Sequence, residues 1–316
     1  MSYAAWIIMT ASLVGITCSI IGVLLVLRRM AMISDAISHT VLLGLVSAYL
    51  VTNSLDGLAM FIGAAITGVL TAVFIQLLNS AGVQADASIG IVFTFLFAIG
   101  VILVSMFARD VHIDTEHAIM GELAFIPWTT VEWFGLPPIP QAVWVIGIVL
   151  VINIVILVLL YKEFKLSSFD PELAAALGLP VVFLHYVLMG MTSITAVAAF
   201  DAVGAILVVA MIIAPPATAY LLTERLWMMF VLSAVFGVIS AVAGYYTAAW
   251  LDASISGMMA TMTGILFILA FLFSPTHGII AKRINNRRIR LSHKLSVLLS
   301  FCFEGSRDMI IYKPTY

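Results

Sequence analysis

Asp35 and His39 are the residues whose types and spacing best suit chemistry in this chain. They stand in Met32-Ile33-Ser34-Asp35-Ala36-Ile37-Ser38-His39-Thr40, at the start of a long apolar run. Four residues carry a helix nearly full circle. An acid and an imidazole at this spacing therefore share one side, about 6 Å apart along the axis. A carboxylate at membrane depth costs about 3 kcal/mol unless something compensates it. A divalent cation is a compensator that both groups can ligate. Ser34 and Ser38 sit beside the pair at the same spacing, which predicts one unusually polar face. One carboxylate and one imidazole are only half of a transition-metal site. A second copy of the helix across a two-fold axis would supply the other half. Such an O/N set suits manganese, iron(II) or zinc and disfavours copper(I). The other reading of the same spacing is a hydrogen-bonded Asp–His pair that packs one helix on another.

Membrane helices must position this pair, and the composition supplies them. The 316 residues are 63% hydrophobic and 9% charged, with a net charge of −2. A soluble domain carries about 25% charged residues. The mean hydropathy is +1.19. Apolar runs long enough to cross a bilayer fall at 5–27, 33–51, 57–79, 88–108, 141–161, 181–199, 202–222, 227–250 and 257–274. The expected fold is all-α, a polytopic membrane bundle of about nine transmembrane helices, with eight or ten as the alternatives. The sixth and seventh spans are divided only by Phe200-Asp201. The first span lacks a basic leader, so no cleavable signal peptide is expected. The two cysteines, Cys18 and Cys302, lie in unlike surroundings, and no disulfide or thiolate metal cluster is expected.

Lys and Arg set the orientation. With the N-terminus outside, Arg28, Arg29, Lys162, Lys165, Arg225 and the tail fall inside, and of the 14 basic residues only Arg109 falls outside. The C-terminus is then cytoplasmic. Acids at Asp56, Asp110, Asp114, Glu116, Glu122, Glu132, Asp201 and Asp252 gather at or near the outer face. They would draw cations to the mouth, or they simply collect where basic residues are kept away.

Two connections stand out. The outer loop 109–140 carries His112, Asp114, Glu116 and His117, a candidate transient cation contact or an ordinary solvated cluster. Its Ile126, Trp128, Trp133 and Phe134 suit a segment at the interface or over a cavity. The cytoplasmic stretch Phe169-Asp170-Pro171-Glu172-Leu173, running on to Leu177-Gly178, reads as a short free-standing helix. Asp170 is its N-cap, Pro171 its first residue, and Gly178 with Pro180 its end. Its polar face carries no basic residue, so a protein groove fits Phe169, Leu173 and Leu177 better than a membrane surface does.

Small residues mark close helix contacts at Gly57, Gly63, Gly68, Gly237 and Gly244. Ala214-Pro215-Pro216-Ala217-Thr218 is expected to interrupt and kink the seventh span. The chain divides into a transmembrane part, 1–280, and a basic cytoplasmic tail, 281–316, suited to anionic lipid.

Enzyme signatures are missing: no His-Glu-x-x-His, no P-loop, no Gly-x-Ser-x-Gly. An intramembrane metalloenzyme is thus poorly supported. An ion-coupled secondary transporter or channel is one reading of a carboxylate at this depth, although no internal repeat supports it.

Four stretches together resemble the permease subunit of bacterial ATP-binding-cassette importers for manganese, zinc and iron. They are Arg28-Arg29-Met30 through Gly44, Ser168 through Ala174 with Leu177-Gly178, Val203 through Ala219 around Pro215-Pro216, and Phe271-Leu272-Phe273-Ser274-Pro275. The segment His112-Ile113-Asp114-Thr115 is more similar to the manganese-type members. The resemblance implies a type II importer-like permease in the bacterial plasma membrane. It implies no enzyme activity in this chain and no permanently bound cofactor, only a transported divalent cation. Asp35 and His39 match the metal pathway pair, and Phe169–Gly178 the coupling helix. The implied partners are separate ATPase subunits, an extracytoplasmic metal-binding protein and a second permease chain, identical or related. Nucleic acid is not among them.

Overall fold

The computed structural model describes residues 3–52, 57–107, 123, 126–128, 130–131 and 139–274. His112, Asp114, Glu116, His117 and the tail 281–316 lie outside the described residues. Among the described residues, nine helices are long and apolar enough to cross a membrane. They are α1 (Tyr3–Leu27), α2 (Met32–Thr52), α3 (Gly57–Ser80), α4 (Ala85–Phe107), α5 (Gln141–Leu159), α8 (Val181–Val203), α9 (Ala205–Leu222), α10 (Leu226–Leu251) and α11 (Ile255–Phe273). Two shorter helices, α6 (Tyr161–Phe169) and α7 (Pro171–Ala176), stand between α5 and α8. The expected all-α bundle carries one small addition. A ladder of β1 (Thr130–Val131) and β2 (Ile139–Pro140) pairs Thr130 with Pro140 and Val131 with Ile139.

α1 is the hub. It is apolar on all sides, and such a helix is stable when surrounded. It packs on α5, α8, α9 and α10. A second group joins α2, α3 and α4, and α8 bridges the two groups. α4, α5 and α11 keep most of their surface outside, with Phe95, Val158, Leu159 and Phe273 exposed. Trp227 and Trp250 are exposed near opposite ends of α10. Their separation of about 35 Å by helical rise matches a hydrocarbon layer of roughly 30 Å flanked by aromatic belts.

Backbones meet where side chains are absent. A Cβ on Gly22 would come within 2.0 Å of the Ile212 carbonyl oxygen. Pro216 has no N–H to give that carbonyl, so α1 closes over the oxygen that the proline leaves free. α9 nevertheless runs unbroken from Ala205 to Leu222. Pro215 and Pro216 lie inside a continuous helix and do not interrupt it, contrary to expectation. The division between α8 and α9 also falls later than the Phe200-Asp201 dip suggests. Asp201 is still helical, and the break is Gly204 at φ 82 and ψ 163, a conformation open essentially to glycine.

All five described basic residues, Arg28, Arg29, Lys162, Lys165 and Arg225, belong to segments at one end of the bundle. There Leu27, Tyr161 and Leu226 pack together. This is the basic end of the bundle. The stretch before Asp170 is the half-buried helix α6. Buried Leu123 and Ile126 join the main core near the other end, whereas Trp128 is exposed.

Candidate functional site

α2 presents Asp35 and His39 together. The Nε2 of His39 lies 3.7 Å from the Oδ1 of Asp35, too far for a hydrogen bond. A metal about 2.1 Å from each donor would set them roughly 3.0 to 3.4 Å apart, so a small rotation of either side chain suffices. The side chains are 47% and 38% exposed, His39 and Asp35 respectively. They look outward from a single chain. A carboxylate there cannot face lipid cheaply; something polar must cover it. Among the described residues, no third His, Cys, Asp or Glu completes a ligand group.

The neighbouring serines do not join them. Ser34 and Ser38 are buried. Their hydroxyls donate to their own helix, to the carbonyls of Ala31 at 2.8 Å and Ser34 at 2.9 Å. The expected polar face is therefore split: the metal-ligating types point out and the hydroxyls point in. Deeper along α2, the buried hydroxyls of Thr40 and Thr71 meet at 2.8 Å and tie α2 to α3.

α2 starts at Met32, after a tight turn at residues 28–31. A start at Arg29 would set Asp35 about 9 Å inside the helix; the observed start sets it about 4.5 Å inside, with His39 about 10.5 Å. The site thus sits near the basic end.

Phe93 and Phe97 of α4 are not legible as site residues in the sequence. Their rings hold the imidazole, with centroids 5.6 Å and 5.9 Å from that of His39, the second edge-on at 73°. The i, i+4 spacing is visible in the chain, but nothing there says that α4 lies beside α2.

At the basic end, Asp170 caps α7 as expected, its Oδ1 accepting from the Leu173 N–H at 2.9 Å. Pro171 opens the helix. Gly178, at φ 80, closes it, its N–H bonding to Ala175 O and that of Leu179 to Ala174 O. Phe169, Leu173 and Leu177 are exposed, an apolar set that the other described residues leave uncovered.

Nine apolar spans among the described residues, with a basic end and an exposed capped helix beside it, define a multi-pass membrane transport subunit. The chain belongs to the ABC 3 transport family, whose model matches residues 1–274. It is 61% identical to the manganese transport system membrane protein MntD of Bacillus subtilis (strain 168), over 90% of this chain and 96% of that protein. It is 42% identical to the zinc transport system membrane protein TroD of Treponema pallidum (strain Nichols), over 90% of this chain and 78% of that one. Among solved structures, PsaBC from Streptococcus pneumoniae in complex with Fab is similar at TM-score 0.73 and 29% identity, covering 88% of this chain and 94% of that chain. The fold is that of an importer permease, which is a transport subunit and not itself an enzyme.

Proposed function

We propose that this chain is the membrane permease of an ATP-driven importer of divalent metal, with manganese the favoured cargo and zinc or iron(II) the alternatives. The observation that carries this reading is the outward-facing Asp35–His39 pair, two of the ligands a metal needs, on a face that lipid would penalise. A second permease chain across a two-fold axis supplies two more and covers the carboxylate. Manganese is favoured because the 61% identical relative is named for it. The donor types alone accept several metals, since affinity follows the metal series and not biological choice.

The ion enters from the outside, handed over by an extracytoplasmic metal-binding protein, with the His112–His117 segment as a passing contact. Asp35 and His39 hold it briefly, because transport needs release as well as capture. ATPase subunits dock on Phe169, Asp170, Pro171, Glu172, Leu173, Leu177 and Gly178, and their closure drives the pathway. The N-terminus lies outside and the C-terminus in the cytoplasm of a bacterial plasma membrane. The gathering of Arg28, Arg29, Lys162, Lys165 and Arg225 at one end supports this orientation. The tail 281–316 binds anionic lipid.

The test is uptake of radioactive manganese, zinc and iron by cells depleted of this chain and then supplied with it or its variants. Asp35→Ala and His39→Ala each abolish uptake while the protein still reaches the membrane. Normal uptake by both variants removes the pair from the pathway.

A further inference from the structure

We propose that Arg28 is the positioning residue through which movement of the coupling segment reaches the Asp35–His39 pair. This rests on the importer reading above. Arg28 directly follows α1 and opens the turn that feeds α2. That turn has no slack. The Met30 N–H reaches Leu25 O at 2.8 Å and the Arg29 N–H reaches Val26 O at 3.1 Å, closing α1. Arg29 sits at φ 58, a left-handed conformation that a non-glycine residue keeps only when its surroundings enforce it. On the far side, the Ile33 N–H bonds to Met30 O at 3.1 Å and the Ser34 hydroxyl to Ala31 O at 2.8 Å. Asp35 follows directly.

The side chain of Arg28 crosses to α6. Its Nε donates to the Ser168 hydroxyl at 3.0 Å and its Nη2 to the Ser167 hydroxyl at 2.7 Å. The guanidinium carbon lies 5.8 Å from the ring centre of Phe164, which is buried in the main core. Ser168 is two residues from Asp170, the cap of α7. A contiguous bonded path therefore runs from the capped coupling helix through α6 and Arg28 to the turn that aims α2.

The partner chemistry fits a joint that must be remade in each cycle. Among the described residues no carboxylate lies within ion-pair distance of Arg28. Two neutral hydroxyls and a ring hold it, contacts firm enough to carry displacement and easier to exchange than a buried ion pair. Lysine could not reproduce them, because a single ammonium lacks the planar fork that reaches two hydroxyls while stacking on an aromatic face. Burial lowers the pKa of Arg28 from the ordinary guanidinium value, yet an arginine stays charged.

The experiment uses the permease purified with its ATPase chain in lipid vesicles, supplied with the manganese-loaded extracytoplasmic metal-binding protein, and reads manganese moved per ATP hydrolysed. Arg28→Lys and the double variant Ser167→Ala/Ser168→Ala reach the membrane, retain the ATPase chain and hydrolyse ATP at the parent rate. Manganese moved per ATP falls roughly fivefold or more, the scale of an inter-site coupling. A purely structural role would lower yield and both rates together and leave the ratio intact; an unchanged ratio in either variant overturns the proposal. A parent complex that hydrolyses ATP but moves no divalent metal would instead sink the importer reading, and this proposal with it.

Discussion

The imidazole of His39 packs against the ring of Phe93 at 5.6 Å between centroids, tilted by 32°. One helix thus supplies the imidazole and another fixes its direction. Removing the ring leaves the donor in place but free to turn. Phe93→Ala should raise the concentration of manganese needed for half-maximal uptake, roughly tenfold, the scale on which supporting residues act on a metal site. Maximal uptake should change much less. Phe93→Leu should recover part of the loss. Saturation curves for uptake in cells check this, and equal curves for Phe93→Ala and the parent would show that the ring does not position His39.

Helix α7 is only six residues long, so it depends on its cap. Asp170→Ala removes the acceptor of the Leu173 N–H and costs about 1 kcal/mol. Membrane level should hold, because Asp170 is exposed. Recovery of the ATPase chain with the tagged permease should fall several-fold. Leu173→Asp, which puts a charge on the uncovered apolar face, should abolish recovery. Full recovery with Leu173→Asp would move the docking surface elsewhere.

Gly22 is a packing position with no functional atom. Its missing Cβ is where the Ile212 carbonyl and the Pro216 ring sit. Gly22→Ala should lower the amount of folded protein sharply, since backbone cannot yield as a flexible side chain can. Gly147→Ala, where an added Cβ meets nothing within 4 Å, should leave it unchanged. Size-exclusion profiles in detergent distinguish the two.

Asn153 donates to the Thr195 hydroxyl at 2.7 Å between α5 and α8, both side chains buried. Truncating either alone leaves the other with an unmet polar group, at about 1 kcal/mol. Asn153→Leu combined with Thr195→Val should cost less than the sum of the single changes. Thermal unfolding of the four proteins in detergent gives the cycle, and strict additivity would mean that the bond contributes nothing.

Much of this protein is legible in its amino-acid order. Apolar runs mark the nine spans to within a few residues, because length and hydropathy suffice when the solvent is a bilayer. Asp35 and His39 stand out because ionisable groups are costly there. Asp170, Pro171 and Gly178 stand out because helix ends have their own chemistry. The arm α6 does not, because its mixed apolar and charged residues carry neither a membrane-length run nor a clear cap. The Gly204 break is masked by Asp201, whose charge makes the stronger dip in hydropathy.

Which segments cross the membrane, which end is basic and which two residues can ligate a metal all follow from the order of residues. These are local properties of the chain and its solvent. The inward turn of Ser34 and Ser38, against the outward turn of Asp35 and His39, comes only with the packed bundle. The same holds for Phe93 holding His39, Gly22 meeting Ile212, and Arg28 spanning to Ser167 and Ser168. Helices apolar on every side carry no periodic signal of which face meets which neighbour. That choice belongs to the close packing of backbones, made where glycines let them touch.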